Sequence, residues 1–119
     1  MKVKPGITLI VHEEDTPVRG NAMASGEDAL DKEVEDEILE RLERGDVWAW
    51  CCVEVKATAC GLSASDYLGG CSYSDEKEFR EPGGYYDDMV SEAVGCLAER
   101  VKSLQGVEID DTVDTTEVE

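Results

Sequence analysis

The stretch from Asp46 to Tyr73 limits the possible folds more than any other part of the chain. It is the only long segment poor in charge, and it holds both tryptophans and four of the five cysteines. Its alternate positions form two sets. Ala49, Cys51, Val53, Val55, Ala57 and Ala59 are small and apolar, whereas Trp48, Trp50, Cys52, Glu54, Lys56 and Thr58 run from aromatic to polar. A period of two with one apolar set describes a strand that has one face in a core. Gly61 to Ala64 suit a turn, and Ser65 to Tyr73 suit a returning strand, so this segment is expected to be a β-hairpin.

The flanking segments supply partners for the hairpin. Ile7 to His12 is apolar and β-branched and reads as a strand in a central or well-covered position. Leu30, Val34, Ile38 and Leu42 recur every fourth residue, with Leu39 beside them. This predicts an amphipathic helix from a cap at Ser25 to a stop at Gly45. A single helical turn is expected at Asp75–Phe79. A longer helix is expected from Tyr85, with Tyr86, Val90, Ala93, Leu97, Val101 and Leu104 as its apolar stripe. Val107 to Asp110 alternates like a short edge strand, and the composition beyond Asp111 predicts disorder. The expected class is α+β: a small antiparallel sheet, made of the N-terminal strand and the central hairpin, packed on two amphipathic helices. Residues 1–105 form the domain and residues 106–119 an acidic tail.

Charge distinguishes the chain more than any motif does. The net charge is −18, carried by residues 27–46 (10 acids, 3 bases), 75–92 (7 acids, 2 bases) and 106–119 (6 acids, no base). Such a chain is a poor ligand for nucleic acid or anionic membrane, both of which need Lys and Arg. It permits plain solubility, a basic protein partner or metal cations. Asp31, Glu33, Glu35 and Asp36 have no base at i+4, and the expectation is an uncompensated acidic face on the first helix. A carboxylate row on a rigid helix imitates a line of phosphates. With Glu40, Asp75, Glu76, Glu78, Asp87 and Asp88, these residues are the expected partner-binding set. No apolar run reaches membrane-spanning length, no leader-like segment follows Met1, and reduced thiols in a host-cell cytoplasm are expected.

Catalytic and metal signatures are weak. Cys51 and Cys52 are adjacent, so on a strand they point to opposite faces, and the other cysteine gaps lack C-x₂-C spacing for zinc. Cys71 follows two glycines and His12 is the sole histidine, but no spacing joins them as nucleophile and base. Gly69 and Gly70 read more simply as a strand bend or a close backbone approach. Asp110 to Asp114 lacks the glycine and closing glutamate of a calcium loop. No catalytic residue, metal or cofactor is expected.

Gly45-Asp46-Val47-Trp48-Ala49-Trp50-Cys51, Leu68-Gly69-Gly70-Cys71-Ser72-Tyr73 and Gly83-Gly84-Tyr85-Tyr86-Asp87-Asp88-Met89 together resemble a core found in small proteins of phages and other mobile elements. The resemblance spans about residues 38–104. In size and acidity the chain is also similar to phage-encoded anti-restriction and anti-CRISPR proteins, several of which mimic DNA. That likeness implies a non-catalytic inhibitor that presents acidic surface to a basic region of a host defence nucleoprotein complex. The alternative is a phage accessory interaction module whose charge only keeps it soluble.

Overall fold

The computed structural model describes residues 2–22, 27–102, 108–110, 112 and 116–118. Strands β1 (Lys2–Val3) and β2 (Gly6–Glu13) lead to helix α1 (Asp28–Glu43) and a 3₁₀ turn at Val47–Ala49. The hairpin follows as β3 (Cys51–Ala59) and β4 (Leu62–Cys71). The chain continues with α2 (Glu76–Phe79), α3 (Tyr85–Val101), β5 (Glu108–Ile109) and β6 (Thr116–Val118). The main sheet has the order β4-β3-β2-β6, antiparallel except where β6 joins β2 in parallel. β1 and β5 form a separate parallel pair. The class is α+β, as the sequence predicts. The expectation of disorder beyond Asp111 does not hold for Thr116–Val118, which pair with Ile7–Leu9. Leu104 and Val107 lie outside the described residues.

Strand alternation builds the main core. Cys51, Val53, Val55 and Ala57 are fully buried along one face of β3, joined by Ile7 and Leu9 of β2 and Ala64 of β4. α3 covers this face with Met89, Ala93, Leu97 and Val101, four residues apart and so on one side of the helix. Tyr86, Val90 and Val94 pack at its margins. Burying each large side chain contributes about 1.5–3 kcal/mol. Phe79 of α2 seals one end in a group with Trp48, Tyr73 and Tyr86, at ring separations of 5.0–6.4 Å.

Two irregularities shape the hairpin. Its turn is the two-residue Cys60–Gly61, tighter than the expected Gly61–Ala64, with φ of 55° and 74°. Positive φ at both positions matches strand twist in a two-residue hairpin. At the open end, Cys51 pairs with Cys71 but Val53 pairs with Leu68, so Cys52 alone faces both Gly69 and Gly70. This is a β-bulge, and Gly70 takes a φ of 63° that other residues rarely adopt. The edge strand β4 is blunted. Asp66, opposite Val55, is half-buried on the α3 side of the sheet, and Arg100 donates to the Ser63 carbonyl.

α1 stands apart from this core. Its Ile38 is buried with Val18, Ala49 and Trp50 in a second cluster, fringed by Ala22, Val34, Leu39 and Leu42. Leu30, one turn before Val34, is 41% exposed, because the cluster ends at Val34. The expected cap Ser25 lies outside the described residues, and Glu27 occupies the cap position without a capping hydrogen bond from its side chain to the helix. The helix ends as expected: Gly45 N–H donates to the Leu42 carbonyl and Asp46 N–H to that of Arg41, the six-to-one and five-to-two pattern of a glycine-terminated helix. Arg41 Nε then meets Asp46 Oδ2 at 2.8 Å, and Arg41 Nη2 reaches the Tyr73 carbonyl at 2.5 Å, tying the helix end to the hairpin.

Candidate functional site

The ten acids expected to meet a partner divide on structural grounds. Glu35 does not belong to an exposed face. It is 7% exposed, accepts from Arg19 Nη1 at 3.1 Å and from the Gly20 N–H at 2.7 Å, and anchors the loop before α1. Asp36 is exposed but holds the other arm of Arg19 at 2.5 Å. The sequence spacing within the helix concealed both pairs, because Arg19 lies 16 and 17 residues away. Asp75 caps α2 by accepting from the Glu78 N–H, and Glu78 reaches back to the Ser74 N–H. Glu76 pairs with Arg80 at 3.3 Å. These five carboxylates serve the fold.

The others remain on the surface. Glu33, Asp87 and Asp88 are exposed, Asp31 is half-buried, and Glu40 meets Arg44 only at 3.9 Å with both side chains well exposed. Asp87 and Asp88 occupy the first turn of α3, where they also complement the helix dipole. Within α1, Asp28, Glu33, Asp36, Glu37, Glu40 and Glu43 are all exposed, against Lys32 as the exposed base of the same helix. Glu33, Asp36 and Glu40 of the expected set thus lie on the exposed acidic side of α1, Asp87 and Asp88 on the start of α3, and Glu35 alone of the set is buried.

The sequence pattern did not anticipate a polar cluster on the sheet face away from α3. Glu54, 8% exposed, accepts from His12 Nε2 at 2.8 Å on one oxygen, and from Ser65 Oγ at 2.5 Å and Tyr67 Oη at 3.2 Å on the other. His12 stands opposite Cys52 and Tyr67 opposite Glu54, so the cluster spans three strands. Burial pushes the Glu54 carboxyl up, but the bonds from Ser65, His12 and Tyr67 together outweigh it and its pKa lies below the usual value. His12 and Ser65 bind different oxygens of one carboxylate. Serine is therefore not poised against the imidazole, and the geometry is not a nucleophilic relay. Finding this cluster from sequence required the strand register as well as the alternation.

Cys52 shares the sheet face of that cluster, opposite His12, and burial pushes its thiol up; the other strand cysteines lie on the far face. Cys71 is 4% exposed in the main core, on the opposite face from His12. Burial pushes its thiol up to about 11 and that of Cys51 to about 12, so neither is a thiolate at neutral pH. Among the described residues, no group of three His, Cys, Asp or Glu is placed to hold a metal ion.

Trp50 divides two hollows. Its indole Nε1 donates to the Thr16 carbonyl at 2.7 Å, fixing the ring. On one side, Ala22, the bulge, Tyr73 and Tyr85 line about 330 Å³. On the other, Glu13, Glu14, Leu42, Gly45 and Val47 line about 360 Å³. Glu14 Oε1 accepts the Gly70 N–H at 2.5 Å and Oε2 the Thr16 N–H at 3.2 Å, and these bonds hold its carboxyl below the usual range. The carboxylate caps the bulge from across the sheet, and a Cβ at Gly69 would lie 2.8 Å from it.

No helix among the described residues is long and apolar enough to cross a membrane. No family model matches the chain, and no curated protein or solved structure matches it either.

Proposed function

We propose that this chain acts by binding, without catalysis, and presents the outer side of α1 to a basic, nucleic-acid-binding surface of another protein. In its specific form the proposal is an anti-CRISPR-type inhibitor from a phage or mobile element, which blocks a host defence nucleoprotein complex in the host cytoplasm. One observation carries it: α1 buries a narrow stripe and turns Asp28, Glu33, Glu37, Glu40 and Glu43 outward on a backbone of fixed spacing, beside Asp36, which holds Arg19. Carboxylates spaced along a helix, roughly 6 Å of rise per four residues, occupy Lys and Arg sites made for phosphates and release their counterions. Cys51, Cys52 and Cys71, whose thiols burial pushes up, and the Glu54 cluster supply no activated nucleophile, which favours binding over catalysis.

The test is titration of a host CRISPR effector complex at two salt concentrations, with and without competing DNA. Binding should weaken steeply with salt and compete with DNA. Reversal of Glu33, Glu37 and Glu40 to Lys should reduce affinity far more than reversal of Asp111, Asp114 and Glu119. The structure removes Asp36 from such a variant, because its loss would release one arm of Arg19 and leave the other on Glu35. Salt-insensitive binding that leaves DNA loading intact would reject the mimic and leave an interaction module whose charge is solubilising.

A further inference from the structure

We propose that the outer edge of β2 is a docking site for an extended, basic segment of a partner protein, which adds to the sheet as a strand in place of β6. This surface is separate from the acidic side of α1 and does not depend on the reading above. The chain itself shows that the edge takes such a segment, since Thr116–Val118 lies along it in parallel, paired with Ile7–Leu9.

The two sides of the sheet differ in how they are protected. At β4 the bulge breaks the ladder, Asp66 brings a charge to the inner face, and Arg100 donates to the Ser63 carbonyl. β2 carries no such device. It is eight residues long, and β6, the outermost strand, pairs with three of them. Ile10 to Glu13 pair with β3 on one side and, among the described residues, with no strand on the other. Backbone groups along such an edge are a template for another strand. The side chains agree. Ile7, Leu9 and Val11 share the face toward α3. Alongside β6 the first two are 1% and 0% exposed, whereas Val11, past its end, is half-buried. Ile10, on the opposite face, is half-buried as well. A strand longer than β6 would cover both.

Charge selects the occupant. The uncovered stretch runs into Glu13-Glu14-Asp15, of which Glu13 and Asp15 are exposed, and no Lys or Arg occurs from Ile7 to Pro17. β6 is Thr-Glu-Val, with one acid and no base, so it matches this edge poorly in charge as well as in length. An extended segment that alternates apolar residues with Lys or Arg matches it in both. A second copy of the chain, with a net charge of −18, does not. β6 has the advantage of its tether, which gives it a high effective concentration, and so it acts as a strap that a partner displaces.

The experiment titrates the ¹⁵N-labelled chain with an acetylated, amidated Lys-Val-Thr-Val-Lys-Val-Lys peptide. Parallel peptides carry Glu in place of Lys, or two adjacent prolines at the centre. A second chain carries Glu117→Pro together with Val118→Pro. Adjacent strand residues turn their N–H groups to opposite sides, so one proline of each pair removes a donor to β2. Saturable shifts are expected at the Ile10 to Glu13 amides, with those of Ile7 to Leu9 moving as β6 leaves. Binding should be about tenfold tighter to the proline chain, as for a site that the strap covers about nine-tenths of the time. On the unaltered chain, affinity should fall about tenfold with the proline peptide, the net effect of one or two lost hydrogen bonds, and by a similar factor with Glu for Lys. Equal affinity for the two chains would overturn the proposal. So would a proline or Glu peptide that binds as tightly as its parent, shifts centred on β4, or no saturable shift. The peptide comparison uses the unaltered chain and decides the matter even where the proline chain does not fold. Shifts at Ile10 to Glu13 that grow with protein concentration alone would assign the edge to a second copy and overturn the partner. Reversal of Glu33, Glu37 and Glu40 to Lys should leave the peptide shifts in place; their loss would move the peptide to α1 and overturn the edge.

Discussion

The cluster under α3 draws on five elements, β2, β3, β4, α2 and α3, and places Val53, Val55, Ala93 and Leu97 wholly out of solvent. The cluster under α1 has four buried residues, and it owes its attachment as much to polar bonds from Arg19, Gly20 and Arg41 as to apolar contact. The first is a sheet-on-helix core and determines whether the domain folds. The second positions one acid-rich helix against the hairpin. A surface helix fixed by a few directional bonds keeps most of its outer side free of structural duty: in α1 Glu35 and Asp36 hold the Arg19 loop, while Glu33, Glu37 and Glu43 face outward. The acids of α2 lack that freedom, because Asp75, Glu76 and Glu78 are used in caps and a pair.

Val53→Asp should break the comparison at its strongest point. It puts a carboxylate with no partner into the fully buried face of β3. The cost is several kcal/mol, on the order of the whole stability of a small domain. The expected outcome is a chain with no cooperative thermal transition and no protected amides in either region. A folded variant with unchanged melting would mean the β3 face has been assigned to the wrong side.

Ile38→Ala tests whether the two clusters are energetically separate. Ile38 is the one fully apolar residue of α1 that is buried. Its truncation should cost about 2–3 kcal/mol, at the low end for such changes because the site is small and able to collapse. Hydrogen exchange should accelerate across α1 while α3 and β3 keep their protection, which is the signature of local opening. Equal acceleration in both helices would show one cooperative unit and remove the distinction.

The sequence disclosed these regions unequally, for a physical reason. The main core was legible because a period of two in β3 and a period near 3.6 in α3 are set by backbone geometry alone. The predicted stripe of α3 included Ala93, Leu97 and Val101, and the structure adds Met89 at its centre. The stripe of α1 was read equally clearly, yet its partner is not the sheet but Val18 and Trp50, which lie in a loop and just after a 3₁₀ turn. No period marks such residues. The same limit misplaced Glu35. Its burial depends on Arg19, in a loop 16 residues earlier whose path no local pattern fixes. The bulge at Gly69 and Gly70 was visible only as a strand bend or a close backbone approach, since its acceptor Glu14 sits at a separation of 56 residues. β6 was lost to composition, since parallel pairing with Ile7–Leu9 leaves no mark in a short acidic segment.

pH should sharpen the contrast between sheet and appendage by a smaller amount. Glu54 has a folded pKa below its ordinary value of 4.5, so folding is favoured by its ionised form. That contribution is fully present above the ordinary value and is lost as pH falls from there through the folded value. Glu54→Gln should therefore flatten this acid limb by about 1 kcal/mol, the net size of a hydrogen bond to a charged group less the share screened at the surface. Chemical denaturation at a series of pH values checks it. A limb that keeps its full slope in the variant would assign the acid sensitivity to other carboxylates, with Glu14 and its bond to Gly70 first among them.

The smallest effect is expected at the tip of the hairpin, and it is stabilising. Cys60 is exposed and holds a φ of 55°, a left-handed conformation that costs most L-residues about 1–2 kcal/mol. Asparagine adopts it more readily, and Asn-Gly is the favoured pair for a two-residue turn of this kind. Cys60→Asn should therefore raise global stability by about 0.5–1 kcal/mol. Because the turn joins β3 to β4, the gain belongs to the main core. Hydrogen exchange in β3 and α3 should slow in proportion, while the local opening of α1 should stay at its original rate, since no bond of the second cluster involves the turn. Slowing that extends equally to α1 would mean that its opening requires the sheet to unfold. The outer acids would then be held as rigidly as the core beneath α3.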